Sequence, residues 1–181
     1  MAKRVAKFEK VSFKQFEKDW KDTFGIPDSP IGDEFLVTKE NIENTYNMIS
    51  TPKRSTSFSA GYDFISPLSF KLLPGESIKI PTAIRCRMHN DYVLQIYPRS
   101  GLGSKYMFVP MNLVAIIDSD YYDSDNEGHI FMKMKNCGEK VVEIKKGDAF
   151  CQGIFVNYGI TEDDNVYTKR NGGFGSTDKK E

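Results

Sequence analysis

The sequence predicts an all-β domain preceded by a short helical segment, and two observations carry that expectation. From Pro52 onward, short runs of apolar residues alternate with polar ones, broken at close spacing by Pro, Gly and Asn-Asp turn signals. Before that point the apolar residues recur instead at spacings of three and four. Many short strands with frequent turns make a sandwich, a jelly roll or a barrel.

The helical segment has recognisable ends. Ser12 opens an S-x-x-Q capping box with Gln15, and Val11 is placed to staple to Phe16. Phe13, Phe16, Trp20 and Phe24 form one apolar stripe, which Gly25, Pro27 and Pro30 end. A second helix is expected from Thr38, with Val37 and Ile42 as its staple and Tyr46 and Ile49 continuing the stripe. Two short amphipathic helices cannot bury both stripes against each other, so they dock on the rest of the protomer or on a neighbour. In the β region Ile78 and Ile80, then Ile84, Cys86 and Met88, then Val93 with Gln95, and finally Ile130, Met132 and Met134 mark the strands. Pro67, Pro74-Gly75, Pro81, Asn90-Asp91, Gly138 and Gly147 mark the turns. The expected division is 1–50 helical extension, 51–168 β domain and 169–181 flexible glycine-rich tail.

Composition excludes several functions. Lys+Arg and Asp+Glu are equal at 25 each, so no global field draws the chain to nucleic acid or an acidic membrane. Cys86, Cys137 and Cys151 form an odd set without a C-x-x-C pair, which argues against a disulfide framework and fits a reducing compartment. His89 and His129 lack ligand-like spacing and read as ordinary surface or strand residues. No apolar stretch follows Lys3, Arg4 and Lys7, and no run approaches the ~20 residues of a membrane span. A cytoplasmic protein is expected.

Segments along the chain carry donor or acid chemistry. Ser59-Ala60-Gly61-Tyr62-Asp63 puts an acid just after a glycine. Pro98-Arg99-Ser100-Gly101-Leu102-Gly103-Ser104-Lys105 reads as a donor-rich loop suited to phosphate, or as an ordinary polar turn. Asn112 to Tyr121 delivers Asp118 and Asp120 at the end of an apolar run, where a carboxylate can orient and deprotonate water, or where it is a solvated hairpin tip. Gly147 to Gln152 starts a strand whose Gln152 could reach a ligand. Arg170 to Thr177, RNGGFGST, combines glycines with Arg170, Ser176 and Thr177 as an anion nest, or is simply a glycine-rich terminus. Asp123 to Ile130 matches the opening of a calcium-binding EF-hand loop, but Met134 occupies the position of its bidentate Glu, and calcium is rejected.

In this order and spacing, SAGYDF, PRSGLGSK, NLVAIIDSDY, GDAFCQ and RNGGFGST resemble the five motifs of the trimeric dUTPase family, over about residues 52 to 177. The resemblance implies a β jelly roll (β-clip) assembled as a homotrimer, with active sites shared between subunits and closed by the tail. It implies hydrolysis of dUTP to dUMP and pyrophosphate, with Mg2+ on the triphosphate, keeping uracil out of DNA and supplying dUMP. Asp118 would position the water and take its proton. Asn112 and the hairpin backbone at Ile116 and Ile117 would read the uracil edge, and Tyr121 would pack under the deoxyribose and exclude a 2′-hydroxyl. Arg99, Ser100, Gly101 and Gln152 would hold phosphates, with Asp63 supporting the metal's water shell or the phosphate loop. Arg170, Gly175, Ser176 and Thr177 would take the terminal phosphates while Phe174 covers the base.

The chain departs from the family pattern in places. Ala115 stands where the family usually has Gly, and Tyr122 replaces a basic or polar residue. Asp123 to Glu127 lengthens the segment before Gly128, and Asp178 replaces a closing Gly. Residues 1–50 lie outside the motifs and resemble a subgroup of low-GC Gram-positive bacteria and their phages. Two alternatives accompany this reading. One is a dCTP deaminase of the same fold, which would need a glutamate at the ring. The other is a nucleotide-gated module that signals to a regulatory protein through residues 1–50 or 122–128.

Overall fold

The structure, a computed structural model, describes residues 3–25, 37–168 and 170. Its order is β1 (Ala6–Lys10), α1 (Phe13–Phe24), α2 (Lys39–Met48), β2 (Lys53–Arg54), β3 (Tyr62–Ile65), β4 (Phe70–Leu72), β5 (Ser77–Pro81) and β6 (Ile84–Met88). Then follow β7 (Tyr92–Pro98), α3 (Ser100–Tyr106), β8 (Phe108–Pro110), β9 (Ala115–Ile117), a 3-10 turn (Ser119–Asp123), β10 (Phe131–Asn136), β11 (Val142–Ile144) and β12 (Ala149–Asn157). All the strand pairs are antiparallel. The largest sheet runs β2-β3-β12-β7-β9, and smaller sheets pair β5-β10-β8, β11-β4 and β1-β6. This is the all-β jelly-roll architecture the alternation predicts. The expected strand residues Ile78, Ile80, Ile84, Cys86, Met88, Met132 and Met134 all turn into the core.

The helical segment packs into that same core. Val11, Phe16, Trp20, Phe24, Ile42 and Ile49 join Phe64, Ile80, Leu94, Phe108 and Phe150 in one continuous apolar cluster. Phe16 and Trp20 are almost wholly buried, and each contributes about 1.5–3 kcal/mol by leaving water. The partner of the helical stripes is therefore the protomer itself. α1 begins where expected, with the Ser12 Oγ accepting from the Gln15 N–H at 3.1 Å, and Gly25 closes it. The box is only half made. The Gln15 amide reaches Asp19, and the Ser12 N–H donates to Glu127 at 2.7 Å. Thr38 caps α2 as expected. Pro27 and Pro30 lie outside the described residues.

Two local expectations need correction. Residues 1–50 are not wholly helical, because Ala6–Lys10 is a strand paired with β6 from Ala6↔Met88 to Lys10↔Ile84. Its charged sequence hides the alternation, and only the ring of Phe8 packs inward, against Tyr62, Phe64 and Phe155. The loop expected after Pro98 is the helix α3, despite Gly101 and Gly103. Leu102 and Tyr106, one turn apart, both pack on the core and supply the apolar face that this helix needs.

Candidate functional site

One group of site residues gathers where β7, β3 and β12 lie side by side. In register, Gln152 of β12 faces Asp63 of β3 on one side and Tyr97 of β7 on the other. The Asp63 carboxylate pairs with the Arg99 Nε at 3.2 Å and accepts from the Ser55 hydroxyl at 2.8 Å. Both of its oxygens are thus engaged, and their joint effect is to fix the Arg99 guanidinium. The Gln152 side chain donates to the Pro98 carbonyl at 3.2 Å and fills the space beside Gly61, where a Cβ would come within 2.3 Å of it. Ser100 and Gly101 form the first turn of α3, whose backbone N–H groups have no partner within the helix. With Arg99 and Lys105 they line a pocket of about 450 Å³. Glu143 and Asp148 line the same pocket, while Arg99, Lys105 and the first-turn N–H groups supply the donors that suit an anion.

A second group belongs to the hairpin from β8 to β9. β9 is the edge strand of the large sheet, so one row of its backbone groups faces away from β7. The Ile117 side chain is in the core and that of Ile116 is exposed, so what this strand offers a ligand is mostly backbone. Ala115 is a buried strand residue with ordinary negative φ, and its methyl causes no strain. Asn112, Ala115, Asn126, Phe131, Lys79 and Lys133 line a pocket of about 550 Å³. Asp118 follows β9 directly. Its carboxylate pairs with the Arg170 guanidinium at 2.9 Å, and Asp120 holds the same guanidinium at 3.5 Å. Arg170 also lies over the Tyr121 ring, 5.7 Å from its centre.

Tyr121 is buried, and burial holds its phenol above the usual pKa, so it stays protonated. Its hydroxyl donates to the His129 carbonyl at 2.7 Å and accepts from the Asn126 amide at 2.8 Å. His129, expected to be an ordinary surface or strand residue, is wholly buried. Ala83 donates its N–H to the His129 Nε2, so the ring proton sits on Nδ1 and is given to the Asp19 carboxylate of α1. Sequence reading misses Asn126, His129, Asp19, Ser55 and Phe131. Asn126 sits inside the insertion, and the contacts of His129 and Asp19 span 110 residues.

The two groups do not meet within one chain. Ile117 lies opposite Leu94, so Asp118 leaves the sheet beside the start of β7, whereas Arg99 follows its end. At about 3.3 Å per residue the two are roughly 20 Å apart along the strand. Asp63, Arg99, Ser100, Gly101 and Gln152 are brought together, as are Asn112, Ile116, Ile117, Asp118, Tyr121 and Arg170. Phe174, Gly175, Ser176 and Thr177 lie outside the described residues. Among the described residues no group of three or more His, Cys, Asp or Glu side chains could hold a metal by itself, and no helix is long and apolar enough to cross a membrane.

Known proteins share the sequence pattern and the fold of this chain. A family model described as dUTPase matches residues 47–178. The deoxyuridine 5'-triphosphate nucleotidohydrolase of Lactococcus lactis is 43% identical over 132 residues, covering 71% of this chain and 88% of the relative. That of Haemophilus influenzae is 34% identical, covering 86% and 95%. Among solved structures, the dUTPase of Streptococcus mutans superposes with a TM-score of 0.54 at 33% identity, covering 62% of this chain and 88% of its own. The dUTPase of phage phi11 of S. aureus, which carries a species-specific insert, shares the fold at a TM-score of 0.54 and 23% identity, covering 66% and 90%. The matched span takes in every one of the five motifs up to Thr177, and the chain belongs to the dUTPase family.

Proposed function

We propose that this protein hydrolyses dUTP to dUMP and pyrophosphate in a site assembled between subunits of a homotrimer. The observation that carries the shared site is the separation of Asp118 from Arg99 within one chain. A water-orienting carboxylate and the phosphate-holding donors must meet on one substrate, and a second copy of the chain supplies the missing half.

In such a site the edge backbone of β9 and Asn112 read the uracil, and the slot beside the hairpin excludes a 5-methyl group. Tyr121 packs under the deoxyribose, leaving no room for a 2′-hydroxyl. Arg99, the first turn of α3 and Gln152 hold the phosphates, and Asp63 keeps the Arg99 fork aimed. Asp118 orients a water for in-line attack on the α-phosphorus and accepts its proton. The bond from that phosphorus to the α,β-bridging oxygen breaks, and pyrophosphate departs with the electron pair. For Asp118 to take that proton, Arg170 must release it, and the freed guanidinium then pairs with a terminal phosphate. The tail residues Phe174 to Thr177 complete the closure over base and phosphates.

When bound with the triphosphate, Mg2+ would supply charge neutralisation for the leaving pyrophosphate. The residues fit an ion that would be held mainly by the substrate, since among the described residues no three His, Cys, Asp or Glu side chains gather to hold one, and Asp63 and Asp118 are engaged with arginine. A protein partner docking on residues 1–50 or 122–128 gains no support from the contacts, because the two segments face each other. Pyrophosphate release measured over dUTP, dTTP, dCTP and UTP, with and without magnesium, tests the reading. Turnover of dUTP alone is expected, and ammonia release from dCTP would overturn it in favour of a deaminase.

A further inference from the structure

Residues 1–50 lie outside the family's motifs, yet they touch the insertion and the residues flanking it, from Tyr122 to His129, at successive points. Glu9 of β1 accepts from the Tyr122 hydroxyl. Glu127 accepts from both the N–H and the hydroxyl of Ser12, the N-cap of α1. About two turns further along α1, Asp19 accepts from the His129 ring. Between these points lies Tyr121, whose hydroxyl is fixed from two sides by the His129 carbonyl and the Asn126 amide. The Asn126 amide also reaches that carbonyl, at 3.3 Å.

Gly128 makes this closure possible. Its φ is +68°, and a Cβ there would come within 2.7 Å of the Tyr121 carbonyl and of the Tyr122 backbone. The inserted residues therefore fold back over Tyr121 rather than looping outward. The Asn126 Oδ1 is buried and has no hydrogen-bond partner, on the residue that also lines the pocket beside the hairpin.

We infer that Asn126 and Asp19 are positioning residues for Tyr121. The insertion and α1 clamp the phenol that forms the sugar floor, and thereby set how strictly the site rejects a 2′-hydroxyl. The clamp works through a single rigid link. Asp19 and the Ala83 N–H hold the His129 ring at opposite ends, which fixes the His129 backbone, whose carbonyl anchors the phenol. Asn126 closes the other side. The N-terminal segment thus acts on substrate choice without touching substrate. This rests on the reading of Tyr121 as the sugar floor.

The test compares KM and kcat for dUTP and UTP in the full-length trimer carrying Asn126→Ala, Asp19→Ala, Asp19→Asn, Tyr121→Phe or Tyr121→Ala. Loss of one hydrogen bond at the phenol is expected to lower the dUTP-to-UTP preference by about 2- to 10-fold, mainly through KM for dUTP. Asn126→Ala combined with Tyr121→Phe should cost less than the product of the two single effects, because both remove the same bond. Asp19→Asn, which still accepts from the ring, should restore most of the preference lost in Asp19→Ala. If Asp19→Ala fails to assemble, the Asn126 arm decides, since that residue is only part-buried and lies outside the apolar core. Unchanged preference in Asn126→Ala, with preference collapsed in Tyr121→Ala, overturns the clamp while keeping the sugar floor. Unchanged preference in Tyr121→Ala overturns both.

Discussion

Replacing His129 by leucine should destabilise the protein far more than a single histidine usually does. The imidazole is wholly buried and satisfies two other groups at once. Its loss leaves the Ala83 N–H without its acceptor in the core, at a cost of about 1–3 kcal/mol. It also strips the buried Asp19 of a charge-assisted partner, worth about 1.5–3 kcal/mol. The Gln15 amide, at 2.9 Å from the same oxygen, offsets part of that second loss. Leucine fills similar space, so no large cavity term is added. The sum is about 3–5 kcal/mol, in the range for breaking a buried polar pair by removing one partner. Urea unfolding followed by tryptophan fluorescence at fixed protein concentration reads it well, because Trp20 packs on Phe16, whose ring in turn packs on His129. A loss below about 1 kcal/mol would refute the assignment of both hydrogen bonds to the imidazole.

Other outcomes follow from the same contacts. Asp118→Asn should lower kcat by about 10²–10⁴-fold while dUTP still binds, checked by rapid-quench turnover and equilibrium titration; a drop of less than tenfold would remove its role as proton acceptor. Asp63→Asn frees the Arg99 fork and should raise KM for dUTP about 3- to 10-fold with little change in kcat, as measured by steady-state pyrophosphate release. Burial depresses the His129 pKa below its ordinary 6.5, against the opposing pull of Asp19 and Glu127 and with help from Lys79. The unfolded chain therefore binds a proton in that window that the folded chain does not, so stability rises with pH up to about 6.5 and is lost as pH falls below it. The slope is at most about 1.4 kcal/mol per pH unit, and denaturation midpoints of wild type and His129→Gln across pH 5 to 8 should converge at the acid end.

The strands and both helix starts are legible in the sequence because they depend on local periodicity and capping. Ser12, Thr38 and the alternation of Ile78, Ile80, Ile84 and Cys86 need only their neighbours in the chain. What is not legible depends on distant partners. β1 has a single ring to signal it, and α3 overrides two glycines through Leu102 and Tyr106. The candidate site shows the same division. Donor-rich segments and the acid after β9 stand out as residue types. That Asp63 serves Arg99, or that Glu127 caps a helix 115 residues earlier, is information about pairing that composition does not carry. The roughly 20 Å between Asp118 and Arg99 is likewise a matter of register, visible only once Ile117 is set opposite Leu94.

The central claim is that Asp118 of one subunit works with Arg99 of another, and subunit complementation tests it most directly. Asp118→Asn and Arg99→Ala chains, each nearly inactive alone, are unfolded together, refolded into mixed trimers and assayed for pyrophosphate release from dUTP. If the two residues act from different chains, a site that takes Asp118 from one variant and Arg99 from the other is intact. Random assembly at equal amounts then restores up to about a quarter of wild-type activity. Mixed trimers that stay as inactive as their parents would contradict the account, because both residues would then have to come from the same chain.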